Sequence, residues 1–322
     1  MVTQNIVFFG TSAVGLPFLE LLLTHFNVAL VVSQPDALGG RNRKQVLVPP
    51  VKTFALAHGL PLTQPESLSG ETLVSLAETI RAIDPVIGVV ISYGQFIPQT
   101  LIAIPPHRMV NVHFSMLPRW RGAAPVQRAL ENGESATGIT IFEIVKKMDA
   151  GDIWAQREMA IFPHETTDAL WDRMSREGAP FLIDTLDAIL DHRIQKFPQD
   201  PDRATHAPAV RKEEGRVDWH LTAQQIYNRF RAFHPWPGLT AYSGGDDVKT
   251  GLKQEFKLTA VAVSPLTHAS APGEVLSWDK HGLHVCCGEG TVLAITELVP
   301  QGKKPMSPYS YSRGNALPSS FD

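Results

Sequence analysis

"NIVFFGTSAVGLPFLELLLTHFNVALVVS", residues 5–33, decides the fold. Two short apolar runs, 5–10 and 27–33, flank a stretch in which Val14, Phe18, Leu21 and Leu22 fall on one helical face. That is a strand, a helix and a second strand, a βαβ unit. Outward from it the alternation continues. "ETLVSLAETIRAI" (71–83) predicts a helix, and "VIGVVIS" (86–92), "MVNVHF" (109–114) and "GITIFEI" (138–144) predict strands, with "APVQRALENG" as a helix between the last two. Such an order favours an α/β fold with a mostly parallel, doubly wound sheet, whose ligands gather at the carboxyl ends of the strands.

A helix over about 167–192 closes this region, and "QKFPQDPDRATHAPAVRKEEGRVDW" then loses its apolar period and collects prolines and charges. It reads as a linker. Beyond the short helix "TAQQIYNRFRAF", four strand runs, "EFKLTAVAV", "GEVLSWD", "GLHVCCGEG" and "TVLAITELV", are separated by glycine turns, a spacing that predicts a small barrel-like β domain. The expected division is a first domain over 1–193, a linker over 194–215 and a second domain over 216–322.

With 322 residues, 43% of them hydrophobic, the chain can bury a large core in two domains. Its only cysteines, Cys286 and Cys287, are adjacent, which suits neither an ordinary disulfide framework nor a paired-cysteine zinc site, and the expected compartment is the cytoplasm. No segment reaches the roughly 18 unbroken apolar residues of a membrane span, and the amino terminus runs straight into a strand pattern. The net charge of −3 argues against generic nucleic-acid binding. Two windows nevertheless lack acids. One holds Arg41, Arg43, Lys44 and Lys52, the other Arg108, Arg119, Arg121 and Arg128. Charge alone favours an ordinary solvated surface for both.

Gly10 and Gly15 stand at a strand-to-helix turn, but the GxGxxG spacing of a dinucleotide site is absent, as is the Lys-Ser/Thr pair of a phosphate loop. A tight turn is the better reading. There is no HExxH and no close histidine pair on one helix, so no metal is expected. What stands out is Asn111 and His113 in "MVNVHFSMLPRWRGAAP" (109–125). Two apart in a strand, they share a face, and a proline-bounded loop follows at once. Asp149 in "KKMDAGDIW" sits in a loop just past the next strand, and adjacent strand ends are expected to bring it close. An amide, an imidazole and a carboxylate suit acyl transfer without a protein nucleophile, with donors for an oxyanion and a base for an amine's proton.

"NVHFSMLPRWRGAAPVQRAL" with "MDAGDI" downstream resembles the formyltransferases that use 10-formyltetrahydrofolate, marked by Asn-x-His, a Ser-Leu-Leu-Pro-like loop and a later Asp. Met116 replaces the usual first Leu, a volume-conserving exchange. "QPDALGGRNRK", "RGAAPVQ", "APAVRKEEGRVDW", "FHPWPG" and "QGKKPM" are similar to the branch that formylates the methionine of initiator tRNA, and the likeness runs from Asn5 to about Ser307. The resemblance implies a Rossmann-like domain joined to an OB-like β domain, with 10-formyltetrahydrofolate as formyl donor and methionyl initiator tRNA as partner. A monomer is expected, although nothing in the sequence fixes the oligomeric state. It implies Asn111, His113 and Asp149 as the catalytic trio, Ser115, Met116, Leu117 and Pro118 as the loop beside the folate, and Ser92, Tyr93 and Gly94 as the lining of its pterin pocket. On that footing the Asn111 amide and a protonated His113 would hold the oxyanion, with Asp149 keeping the imidazolium charged and assisting proton transfer.

Relatives with the same core formylate glycinamide ribonucleotide or amino sugars, or hydrolyse formylfolate, and the trio alone does not separate them. A non-catalytic RNA-binding module would have no use for the trio. From Asp202 onward the chain carries 13 basic and 12 acidic residues, so bulk charge cannot hold tRNA there, and Lys303 and Lys304 are expected as local phosphate contacts. "GGRNRKQVLVPP" places Arg41, Arg43 and Lys44 between flexible glycines and two prolines. That suits an arm that orders on a polyanion, and the resemblance implies that it lies at the acceptor end of the tRNA, with Arg41 as its critical contact.

Overall fold

Strand β1 (Asn5–Gly10) is buried along almost its whole length, because both faces of its sheet are covered by helices. The computed structural model describes residues 4–39, 45–246 and 253–322. These fall into two compact units, one of residues 1–125, 136–160 and 171–207, the other of 126–135, 161–170 and 208–322.

The first unit's strands follow in chain order as β2 (Asn27–Val32), β3 (Ala37–Gly39), β4 (Gln45–Leu47), β5 (Leu62–Thr63), β6 (Ile87–Ile91), β7 (Met109–His113), β8 (Ala136–Glu143) and β9 (Ile153–Ala160). Seven of them form one sheet in the order β5-β2-β1-β6-β7-β8-β9, while β3 and β4 pair only with each other. From β5 to β7 the pairing is parallel, as the βαβ reading requires, and β8 and β9 add antiparallel strands at the edge. The side chains of β1 alternate between two layers. Val7 and Phe9 join Leu30, Val32, Leu76, Ile80, Val90, Tyr93 and Met109 in one apolar cluster, whereas Phe8 faces the other way, with Phe18 fully buried on that side. Helices α1 (Leu16–His25) and α2 (Pro50–Ala57) follow β1 and β4. Helices α3 (Gly70–Ile83) and α4 (Gln99–Ile102) flank β6, α5 (Pro125–Glu131) links β7 to β8, and α6 (Thr167–Leu190) follows β9. On the second face, Phe18 meets Phe114 edge-on at 6.3 Å, and Gly178 of α6 leaves room for Phe18 and Ile139.

In the second unit, α7 (Ala223–Ala232) opens with a capping box in which Thr222 accepts from the Gln225 N–H. The strands β10 (Leu239–Asp246), β11 (Lys253–Thr267), β12 (Val275–Asp279), β13 (Gly282–Cys286) and β14 (Thr291–Pro300) form an antiparallel sheet ordered β10-β11-β14-β13-β12. The last residues of the chain reach both of its edges, through bridges of Phe321 to Ser243 of β10 and of Ser320 to Glu274 beside β12, which draws the sheet toward a barrel. Phe321 packs on Trp219 and Phe256 inside. Cys286 and Cys287 are free thiols with no exposed surface, and burial pushes both up in pKa, Cys287 to about 12. Among the described residues no helix is long and apolar enough to cross a membrane.

Candidate active site

The pleat of β7 puts Met109, Asn111 and His113 on one face, and Met109 belongs to the Phe9, Val90 and Tyr93 layer. Toward the carboxyl end of the strand the apolar residues give way to a half-buried Asn111 and to His113, which is 6% exposed. Among the described residues no hydrogen bond engages the Asn111 amide, which leaves its donors for a ligand. The His113 Nε2 lies 2.8 Å from the Trp120 carbonyl. A carbonyl only accepts, so Nε2 carries the proton and Nδ1 holds the lone pair. Nδ1 faces the Asp149 carboxylate, 3.8 Å from Oδ2. Burial lowers the His113 pKa below its ordinary 6.5, outweighing Asp149 and the Trp120 carbonyl, which both raise it. The imidazolium expected from the sequence is therefore not the resting state. Loss of hydration exceeds what one carboxylate beyond hydrogen-bond reach returns, and the free site holds a neutral imidazole.

Asp149 arrives by a route other than the expected one. Because β8 runs antiparallel to β7, with His113 opposite Thr140 and Val110 opposite Glu143, the loop after β8 starts beside the amino end of β7. It has to turn back. Gly151 packs so closely on the Glu143 carbonyl that a Cβ there would collide. Asp149 adopts a left-handed φ of 49°, and its Oδ2 accepts from the Gly122 N–H at 2.8 Å. The proximity read from the sequence is present, but a returning loop supplies it rather than adjacent strand ends.

The loop after His113 is rigid from within. Ser115, fully buried, donates to the Arg119 carbonyl at 2.6 Å. The Thr140 hydroxyl donates to the Ser115 carbonyl at 2.7 Å and accepts from the Leu117 N–H at 3.1 Å and from Gln156 at 2.9 Å. Leu117 is buried against Phe142 and Ile153, while Met116 and Pro118 are half-buried. At the end of β6, Ser92 and Gly94 are exposed with positive φ, but the Tyr93 ring is 2% exposed and edge-on to Phe9 at 5.3 Å. Burial pushes the Tyr93 hydroxyl pKa up to about 12. The Tyr93 carbonyl instead accepts from Thr11 at 2.8 Å and Gln34 at 3.1 Å, tying the ends of β1 and β6 together.

Lys303 and Lys304 are exposed on a turn of the second unit, where Lys303 lies 3.3 Å from the Asn315 side chain and over the Tyr311 ring. Arg41, Arg43 and Lys44 lie outside the described residues. Of the other cations in the two acid-free windows, Lys52 pairs with Asp36 at 2.8 Å and Arg128 with Glu131 and Glu214. Arg121 is buried. Among the described residues no cluster of three or more His, Cys, Asp or Glu side chains could hold a metal. The Trp120 carbonyl and the Gly122 N–H, which fix the tautomer of His113 and the position of Asp149, went unseen in the sequence because main-chain groups carry no residue signature.

The profile of the Formyl transferase family matches residues 5–186, and that of the Formyl transferase C-terminal domain matches 209–316. Methionyl-tRNA formyltransferase of Geobacillus thermodenitrificans is 38% identical over 96% of this chain and 94% of its own, and that of Enterococcus faecalis is 38% identical over 96% of both chains. The chain belongs to the methionyl-tRNA formyltransferase family. Similarity to solved formyltransferases places the fold in the same class. The N-formyltransferase of Helicobacter canadensis, solved with folinic acid and dTDP-3-aminofucose, superposes with a TM-score of 0.66 at 15% identity, covering 92% of this chain and 99% of that one. The sugar 3N-formyl transferase WlaRD gives 0.64 at 15% identity, covering 94% of this chain and all of that one. In this formyltransferase chain the Asn111, His113 and Asp149 cluster thus lies where an open α/β sheet holds its ligands, at the carboxyl end of a central strand.

Proposed function

We propose that this protein transfers the formyl group of 10-formyltetrahydrofolate to the α-amino group of methionyl initiator tRNA, with Asn111, His113 and Asp149 as its catalytic residues. The observation that carries the reading is end-to-end similarity to methionyl-tRNA formyltransferases, both domains included, around a buried imidazole and a half-buried carboxylate.

The residues present fit the folate cosubstrate. An amide with no partner among the described residues and the exposed residues Ser92 and Gly94 stand at neighbouring strand ends, beside the loop of Ser115, Met116, Leu117 and Pro118. The cosubstrate supplies the formyl carbon. The Asn111 amide donates to the formyl oxygen as negative charge develops there. The Nδ1 lone pair of His113 accepts the proton released by the attacking amine, and the imidazolium so formed gains the nearby charge of Asp149. It adds its own positive charge to the oxyanion's surroundings and then gives up the proton to the departing nitrogen.

The tRNA is held by Arg41, Arg43 and Lys44 of the first domain and by Lys303 and Lys304 of the second. The protein works as a cytoplasmic monomer, with a catalytic domain over 1–193, a linker over 194–215 and a tRNA-binding domain over 216–322. The test is formylation of charged initiator tRNA with 10-formyltetrahydrofolate as donor. Wild type should yield formyl-methionyl-tRNA, and Asn111→Ala or His113→Ala should each lose about 10²–10³ in rate. No formyl-methionine from the wild type would refute the reaction, and near-normal turnover by the variants would refute the residue assignment.

A further inference from the structure

Composition marks residues 194–215 as connecting chain, yet Gln199 within that stretch joins two loops of the active site. Its Nε2 donates to the Asp149 carbonyl at 2.9 Å and to the Gly151 carbonyl at 2.8 Å. Its Oε1 accepts from the Arg121 Nε at 3.0 Å and Nη2 at 2.6 Å. Both hydrogens and both lone pairs of the amide are used, so Gln199 has one orientation available. Arg121 is 5% exposed, and among the described residues no carboxylate lies within ion-pairing distance of it. A buried guanidinium spending two donors on a neutral amide polarises that amide and strengthens its bonds to the loop beyond. What those bonds hold is a residue in the left-handed region, where a non-glycine residue costs of order 1–3 kcal/mol unless its surroundings fix it.

The same segment also reaches the imidazole. The Thr205 hydroxyl accepts from the Trp120 N–H at 2.8 Å, its carbonyl accepts from the Arg121 N–H at 2.9 Å, and the Ala207 N–H donates to the Arg121 carbonyl at 2.7 Å. That ladder anchors the stretch whose Trp120 carbonyl fixes the tautomer of His113.

We propose that Gln199, clamped by Arg121, is a positioning residue for formyl transfer. It holds Asp149 against His113, and segment 199–207 is in this sense part of the active site. The proposal rests on His113 and Asp149 being the proton-accepting pair. Asp149 is the charged group that faces the imidazole among the described residues, and it acts against burial to raise the pKa of His113. Releasing the loop should therefore weaken that opposition.

The experiment is an NMR titration of the His113 ring, paired with steady-state kinetics, on wild type, Asp149→Asn, Gln199→Leu and Arg121→Lys. Gln199 is only half-buried, so its leucine variant should fold, and Arg121→Lys keeps the charge while losing the two-pronged grip. Gln199→Leu should move the His113 titration downward in the same direction as Asp149→Asn. It should lower kcat about tenfold to a hundredfold with KM for either substrate within twofold, and Arg121→Lys should give a smaller change of the same kind. A His113 titration unchanged in Gln199→Leu overturns the proposal, whatever the activity. A shifted titration in a protein that does not formylate methionyl-tRNA would uphold the positioning role while removing the proposed reaction.

Discussion

His113 has one nitrogen committed to the Trp120 carbonyl, so its chemistry passes through the other. Burial holds its pKa below 6.5, and a neutral Nδ1 is the form that accepts a proton. The acid limb of kcat/KM should therefore lie below the ordinary histidine value, and Asp149→Asn should move it lower still while reducing kcat. A limb at or above 6.5 in the wild type would contradict the assignment. Stability follows the same group. As pH falls below about 6.5 the unfolded chain takes up a proton that the folded chain refuses, so His113 costs stability in acid and nothing at neutral pH. The slope approaches about 1.4 kcal/mol per pH unit between the ordinary and the lowered pKa. His113→Gln should flatten that part of a denaturation profile measured between pH 7 and 5. Asn111 and His113 could be found in the sequence because a strand's two-residue period makes two polar side chains visible as a pair. The protonation state could not be found there, since it depends on how much water the fold removes.

At the level of elements, the two loops that frame His113 depend on close backbone contacts. Gly122 has φ of 125°, and a Cβ on it would stand 2.6 Å from the Ala207 carbonyl, while its N–H holds the Asp149 carboxylate. Gly122→Ala should cost about 1–3 kcal/mol of stability by denaturant unfolding, and its kcat should fall by more than the lost folded fraction explains. Retained wild-type kcat would show that the N–H to Asp149 contact does not matter. The parallel strands β1, β2, β6 and β7 were legible because each is a short apolar run bounded by turn residues. Strand β9, "IWAQREMA", was missed because it lies at the sheet edge with mostly partly exposed or exposed side chains, so its polar content resembles a loop. The return of the 144–152 loop was equally hidden, because nothing in its residues says that β8 pairs antiparallel with β7.

For the whole molecule, the sparse positive charge makes local contacts decisive. Arg41→Leu should lower kcat/KM on initiator tRNA severely and leave formylfolate binding and folding intact, with stability changed by about 0.5 kcal/mol or less. Normal formylation by that variant would remove Arg41 from tRNA reading. In the second unit Lys303 is engaged by Asn315 and the Tyr311 ring, so Lys304→Ala should flatten the salt dependence of KM for tRNA more than Lys303→Ala does. Each lost phosphate contact should remove about 0.7–0.9 from the slope, and parallel slopes in both variants and wild type would exclude the pair.

The two buried thiols offer a clock. Cys286 and Cys287 have no accessible surface, and their raised pKa values leave almost no thiolate at neutral pH. An alkylating reagent can reach them only when the strand pair β13 and β14 opens, so the rate of covalent labelling measures how often this sheet breathes, read by mass without any engineered probe. Saturating tRNA should slow that labelling if the RNA rests on the second unit, and saturating formylfolate alone should leave it unchanged.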